Sequence, residues 1–518
     1  MYNLLFQEME DIPFSLPSRA VVVPLCESSA EVDADARASG TVELRVAGLL
    51  LGLTLAPCTF TKLLKPVLCH LRKLGIVVVC YLDDCIFFST SPAELRLQVG
   101  YAMHLFDTLG LTINVNKSVL IPSQDVEFLG FILNSTNMTV ALPLHRKECI
   151  RRQGLALLCH EVVTLHDLAS FIGMTVAADP AVELAPLRYK YLEIIRNREL
   201  TRNHGDYSAT INLDSHARDL IHWWVHNIDC QTKSLRPSSP QLELYADASL
   251  TGWGASMGTV KTGGHWAQEE LDHINVLELK AILMGLSSIC KNHRDTHVQL
   301  RSDNIATVVG LGRVGSTKPS LNAVIEEIFA WAESRGITLS AEHVKGLHNA
   351  EADFESRVWN LGAEWMLHPE IFKLVCGKFF TPDIDLFATH INAQLPVYVS
   401  WRPDPTSTYV NAFTISWSTG NLYAFPPFSI ICRVLEKIQV EGATVLAILP
   451  LWPTQVWFPR ALQLLAVPPF LLPPNPIFLP QDPSLSHPQG RRHLFRNLDV
   501  PVHLRMDGSP QFASFLEL

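Results

Sequence analysis

The stretch VVVCYLDDCIFFS, residues 77–89, sets two adjacent aspartates inside a run that is otherwise apolar and β-branched. A buried, unpaired carboxylate is costly, so Asp83 and Asp84 require a cation, a turn that lifts them to solvent, or both. The β-formers on either side predict a hairpin with the pair at or beside its turn. Two readings stay open at this point. One is a solvated turn, since Asp is a common turn residue. The other is a Mg²⁺ site, because this hard cation is usually held by one or two carboxylates plus substrate phosphates.

A chain of 518 residues has room for about three or four domains, and 48% hydrophobic residues support packed cores over general disorder. The formal charge of −10 excludes a wholesale basic coat for nucleic acid, leaving local patches. Eleven cysteines, odd in number and without a CxxC pair, predict reduced thiols and no zinc site, hence a cytoplasmic or nuclear setting. No apolar run reaches the roughly 18 residues of a membrane span. The opening MYNLLFQEMEDIPF lacks a basic segment followed by an apolar core, so no signal peptide is expected.

Along the chain, residues 1–44 read as an unassigned lead-in with an acidic loop. Residues 45–142 alternate helix and strand patterns, and 143–236 read as mainly helical. RPSSP at 236–240 is a natural linker. From there to residue 360 the pattern is strand, strand, helix, strand, helix, helix, strand, helix. Residues 372–467 form another α/β stretch, and the proline-rich 468–518 is predicted to be extended and loosely attached.

Within 237–360 four carboxylates fall on different elements: Asp247 on a strand in LELYADASLTGWGASMG, Glu278 on a helix in HINVLELKAILMGLSSI, Asp303 at a strand–helix junction, and Asp353 early in a helix. Each alone is more often a surface charge. In this order they predict a shared metal site, provided the fold brings them together.

These motifs support a resemblance. LLLGLTLAPCTFTKLLKPVLCHLRKLG before YLDD, then LGLTINVNKS and VEFLGFIL, resembles the back half of a reverse-transcriptase palm, with the closest likeness to DIRS-like retrotransposons. The resemblance implies that Asp83 and Asp84 are metal-site carboxylates, that Lys117 follows the palm's second helix, and that Phe128, Leu129 and Gly130, with Phe131, form a hairpin supporting the primer end. The series Asp247, Glu278, Asp303, Asp353 resembles ribonuclease H. It implies two Mg²⁺ ions and a mobile histidine at His343, with His348 the weaker candidate.

DIDLFATHINAQ followed by LYAFPPFSIICRVLEKI resembles a Dam-like adenine methyltransferase domain, implying Asp385 and Asn392 near an S-adenosylmethionine pocket and Phe428 stacking on adenine. Its signature tetrad is degenerate. Phe425 stands where a polar acceptor is required, so methyl transfer and cofactor binding are not expected.

The palm also departs from the pattern. Nothing before Gly52 shows the expected upstream strand with a third carboxylate: Asp33 and Asp35 sit too close in an acidic loop, and Asp11 has the wrong neighbours. The chain therefore reads as an N-terminally truncated member in which primer extension is not expected.

The fold class that follows is multidomain α+β and α/β: partial palm, helical connection, ribonuclease H-like mixed sheet, and degenerate methyltransferase-like domain. The implied partners are RNA/DNA hybrid, RNA template and DNA, with retroelement proteins as a further class and no membrane. Three functional readings remain. They are a hybrid-cleaving enzyme with an impaired polymerase, a decayed or domesticated nucleic-acid-binding protein without turnover, and a polymerase completed in trans by another chain.

Overall fold

The computed structural model describes residues 19–26, 56–236, 238–357, 364–472, 477–478 and 502–504. These fall into two units that divide between Ser238 and Ser239.

In the first unit, β1 (Arg19–Cys26) is followed by α1 (Ala56–Lys73), β2 (Val77–Tyr81), β3 (Asp84–Ser89), α2 (Pro92–Thr108), β4 (Thr112–Ile113) and β5 (Val119–Ser123). Local chemistry starts α2 where it does: Ser91 accepts the Glu94 N–H as N-cap and Pro92 occupies the first turn. The sheet runs β2-β3-β1, with β4 and β5 both pairing β1. Both faces of the β2–β3 hairpin are covered, which accounts for its unbroken apolar run. Val78, Cys85 and Phe87 pack with Leu64, Leu95 and Phe106 of the helices. Val79, Ile86 and Phe88 join a second core with Phe131 and Phe171.

Beyond β5 come β6 (Asp125–Phe128), β7 (Phe131–Asn134), β8 (Thr139–Ala141), α3 (Leu144–Leu158), β9 (Val162–Thr164), α4 (Leu165–Ala178), α5 (Ala185–Arg202), β10 (Thr210–Asn212), α6 (Ser215–Asn227) and β11 (Thr232–Ser234). The four helices match the helical reading of 143–236.

Two expectations are corrected in this unit. The lead-in is not wholly outside the fold, because β1 lies antiparallel to β3 with Val22 opposite Ile86 and Pro24 opposite Asp84. RAVVVPLC is a β-branched run, and it gives the hairpin the partner strand that a lone hairpin needs. Nor are all thiols reduced. Cys80 and Cys85 sit directly opposite each other across the hairpin and are joined as a disulfide, whereas the other described cysteines from Cys58 onward are free.

The second unit opens with β12 (Leu242–Ala248), β13 (Gly252–Met257), β14 (Val260–His265), α7 (Ile274–Ile289), β15 (His297–Ser302), α8 (Ile305–Gly312), α9 (Pro319–Glu333), β16 (Thr338–His343) and α10 (Ala350–Arg357). The sheet order is β14-β13-β12-β15-β16. The first three strands are antiparallel and the last two join in parallel, which is the mixed sheet anticipated. The sequence pattern missed β14, because VKTGGH carries two glycines that weaken its strand signal.

The chain continues through β17 (Met366–Leu367), α11 (Pro369–Lys378), β18 (Ile384–Asp385), β19 (Val399–Ser400), β20 (Tyr409–Val410), β21 (Asn421–Ala424), α12 (Ile431–Glu441), β22 (Thr444–Leu449), α13 (Phe458–Gln463), β23 (Ile477–Phe478) and β24 (Val502–Leu504). A sheet in the order β18-β21-β22-β24 is parallel in its first three strands. Alternate residues of β22 fill two cores: Val445, Ala447 and Leu449 pack with Val434 and Leu435 of α12, and Leu446 and Ile448 pack with Phe372 and Val375 of α11. Pieces of the proline-rich tail are not loose. Residues 477–478 pair with β17, and 502–504 add an antiparallel strand to β22, since short extended segments satisfy the exposed strand groups. Among the described residues no helix is long and apolar enough to cross a membrane.

Candidate metal centres

Asp83 and Asp84 stand at the tip of the β2–β3 hairpin, as the sequence suggests. The two-residue turn puts Leu82 at a positive φ of 54°, and Tyr81 pairs with Asp84 across it. Asp83 is exposed and Asp84 half-buried. Burial and the Asp83 charge raise the Asp84 carboxyl above its usual range, while Lys117, on a 3₁₀ turn, opposes the rise. The resemblance-derived lysine is thus close enough to act on the doublet. The neighbouring strand carries no acid: β1 reads RAVVVPLC, with Pro24 facing Asp84. Downstream, Phe128 and Phe131 close the β6–β7 hairpin around Leu129 and Gly130, both at positive φ. Arg146 donates to Gly130 O at 2.9 Å and lies 4.9 Å from the Phe131 ring centre, fixing the tip.

The second acidic set converges. Oxygens of Asp247 on β12, Glu278 on α7 and Asp303 just after β15 lie within 4.8 Å of one another. The sheet order makes this possible: β12 and β15 are adjacent parallel strands, so their carboxyl ends meet. Asp247 is held by two side chains that the sequence reading did not single out. Ser356 Oγ donates to Asp247 Oδ2 at 2.7 Å, and Asn349 Nδ2 lies 3.5 Å from Oδ1 while donating to Ala246 O at 3.1 Å. Asp353 stands outside the group of three and receives Arg357 Nε at 2.6 Å.

Two glycines permit the approach. A Cβ on Gly254, the residue paired with Asp247, would meet Ala352 O at 2.1 Å and Ser356 N at 2.6 Å, so only glycine lets α10 settle on β13. A Cβ on Gly346 would lie 3.2 Å from Asp303 Oδ2. Glycine inside a strand signals close backbone approach, and GWG carried that signal.

Two of these crowded carboxylates resist ionisation. Burial, with help from Asp303 and Asp353, raises Asp247 to about 6 against the Ser356 hydrogen bond. Burial, then Asp247 and Asp303, raises Glu278 to about 8. Glu278 Oε2 is buried with no hydrogen-bond partner. An unsatisfied buried Glu278 oxygen converging with the Asp247 and Asp303 carboxylates suits a hard divalent cation.

His343 ends β16, and its Nε2 sits 3.1 Å from Asp303 O. The ring is exposed beside the cluster, on an open cleft lined also by Tyr245, Arg301, Lys345 and His348. Arg301 is paired with Glu243 and Glu342, so its charge is partly spent.

The third set is engaged in internal contacts. Asp385 is buried, accepts the N–H of Phe387 and of Gln394, and burial raises it to about 7. Asn392 is locked between Thr389, Glu364 and Trp365 O. Phe428 packs edge-on against Trp452, 4.9 Å between ring centres. Two of the three residues taken for ligand contacts are thereby engaged in holding loops, and Phe428 is part of an aromatic cluster.

Parts of the chain resemble known proteins. Residues 14–133 match the family model for reverse transcriptase (RNA-dependent DNA polymerase), a span that takes in β1. No curated protein matches the chain. Among solved structures, a foamy viral protease-reverse transcriptase in complex with RNA/DNA hybrid aligns at 16% identity and TM-score 0.33 over 62% of this chain, and the chain spans only 44% of its length. The same type of enzyme in complex with dsDNA aligns at 16% identity and TM-score 0.33, covering 63% of this chain and 67% of that one. LC11-RNase H1 in complex with RNA/DNA hybrid aligns at 19% identity and TM-score 0.20 over 22% of this chain and 91% of its own.

Proposed function

We propose that this chain is a retroelement-type reverse transcriptase–ribonuclease H protein whose second unit cleaves the RNA strand of RNA/DNA hybrids, and whose palm does not by itself extend a primer. The observation that carries this reading is the convergence of Asp247, Glu278 and Asp303 from two adjacent strand ends and a helix. The reverse-transcriptase match over residues 14–133 supports the class of protein.

In this reading Asp247, Glu278, Asp303 and Asp353 hold two Mg²⁺ ions, which when bound would activate water and offset charge on the leaving 3′ oxygen. The chain's own residues do the rest. Ser356 and Asn349 fix the direction of the Asp247 carboxylate. Arg357 holds Asp353 at the edge of the cluster and neutralises it until a cation competes. His343, exposed beside Asp303, would carry a proton away from the site. Recognition in the open cleft would rest on backbone shape and the 2′-hydroxyl, which suits cutting without sequence preference.

The palm reading rests on β1. Metal-assisted nucleotidyl transfer needs a further carboxylate beside the doublet, and Pro24 occupies the position opposite Asp84. The C-terminal domain is read as a methyltransferase-type fold without methyl transfer, since Phe425 precedes Pro426-Pro427 and cannot accept an adenine amino hydrogen.

The deciding experiment is cleavage of an RNA/DNA hybrid in Mg²⁺ by the full chain. RNA-strand cleavage lost in Asp303→Asn is expected. A wild-type protein that does not cut, or an Asp303→Asn variant that cuts undiminished, overturns the reading in favour of a nucleic-acid-binding protein without turnover.

A further inference from the structure

We infer that the C-terminal α/β domain is an intramolecular brace for the ribonuclease site, with Arg402 as the positioning residue that seats the helix carrying Asp353. The inference rests on the ribonuclease reading above.

After β19 the chain turns through residues 401–407 and lies against β14 and α10. Arg402 Nη1 donates to Glu355 Oε2 at 2.9 Å, and Nη2 donates to Gly263 O at 3.0 Å. The two side chains are only 16% and 15% exposed. A charge pair this buried is tolerated only when its geometry and hydrogen bonding are good, and removing one partner strands the other. Arg402 meets that condition by spanning a helix side chain and a strand carbonyl at once, with Trp401 stacked 4.7 Å from its guanidinium carbon.

The contact is wider than one pair. Thr262 Oγ1 donates to Pro403 O and Lys291 Nζ to Ser407 O. His390 comes so near Gly264 that a Cβ there would lie 3.0 Å from its ring. The loop is itself stiffened, because Asp404 accepts from the His390 N–H at 3.1 Å and from the Tyr398 hydroxyl. Together these contacts cover β14, the edge strand of the sheet.

The helix so gripped has eight residues, too few to be stable without tertiary contacts. It carries Asp353, Arg357, and Ser356, which holds Asp247. One side rests on Gly254 of β13 and another is tied by Arg402. A shift of α10 therefore moves the geometry of two of the four carboxylates together. A domain whose own pocket residues are engaged internally still has this use.

The test uses the full chain and compares wild type, Arg402→Gln, Glu355→Gln, the double variant and Arg402→Lys. Expected for Arg402→Gln is an about tenfold fall in kcat for hybrid cleavage and a several-fold higher Mg²⁺ concentration at half activation, with KM for the hybrid unchanged. Glu355→Gln should do the same, the double variant should be no worse than the worse single, and Arg402→Lys should recover part of the loss. Wild-type Mg²⁺ dependence in both single variants, or losses that multiply in the double, overturns the brace.

Hydrogen exchange separates this from failure of the ribonuclease reading. If wild type does not cut, that reading falls. Faster exchange of amides 350–357 in Arg402→Gln, with 274–289 unchanged, still upholds the brace, and equal exchange in both proteins refutes it.

Discussion

The two acidic sites of this chain are built on different plans. The Asp83–Asp84 doublet takes both carboxylates from one hairpin turn, with Asp83 in solvent and Asp84 half-buried, so local sequence suffices to place them. The second cluster draws Asp247, Glu278 and Asp303 from three elements into one group in which the two buried members are pushed toward neutrality. Exposed carboxylates at a turn are satisfied by water and need no cation to be stable. Crowded, largely buried carboxylates are unfavourable until something compensates them, and that difference sets the second site apart as the candidate metal site.

The sharpest way to break this contrast is to remove one carboxylate from each site. Asp303→Asn should lower hybrid cleavage by roughly 10²–10³-fold, whereas Asp83→Asn and Asp84→Asn should leave it within about twofold, the sites being independent. Equal losses in a cleavage time course would show that the sites are not separate in function.

Next in size is the seat of α10. Gly254→Ala forces the helix off β13, because its Cβ would meet backbone at 2.1 Å. A displacement of this kind should cost cleavage on the order of 100-fold. Full activity in that variant would mean that α10 does not need its close approach.

A third prediction concerns pH. Raised carboxyls favour the protonated folded form, so their contribution to stability is present below about pH 4 and is lost as pH rises through about 6 for Asp247 and about 8 for Glu278. Mg²⁺ binding must displace those protons and offset the loss. The rise in Tm on adding Mg²⁺ should therefore grow between pH 5.5 and pH 8.5. A Tm increment independent of pH across that range would contradict the burial argument, and the Asp83→Asn variant should show the wild-type trend.

The smallest expected effect lies in the first unit. Arg146→Ala removes the hydrogen bonds to Gly130 O and Ala177 O. It should lower stability by about 1–2 kcal/mol in denaturant titration and leave hybrid cleavage unchanged. A loss of cleavage there would link the two sites that the comparison treats apart.

Local patterns account for much of the first unit's hairpins. Alternating β-formers around YLDD specify a hairpin, and the Leu129-Gly130 turn does the same for VEFLGFIL. What local patterns miss depends on contacts distant in sequence. RAVVVPLC looks ordinary until β3 supplies its partner. Cys80 and Cys85 form no recognisable spacing motif, yet pair because they lie opposite each other across the hairpin. VKTGGH has poor strand propensity and becomes a strand because β13 presents an open edge. The positions of Asp385 and Asn392 in the sequence do not reveal that burial and hydrogen bonding engage both in internal contacts.

Short stretches of chain are enough to establish the identities and order of the carboxylates and the hairpin that bears Asp83 and Asp84. It takes the folded molecule to bring Asp247, Glu278 and Asp303 into one site, to seat Asp247 against α10 through Ser356 and Gly254, and to carry Arg402 to Glu355. These are meetings between residues up to about a hundred positions apart, and the free energy that selects them comes from close packing and burial, which no local pattern encodes.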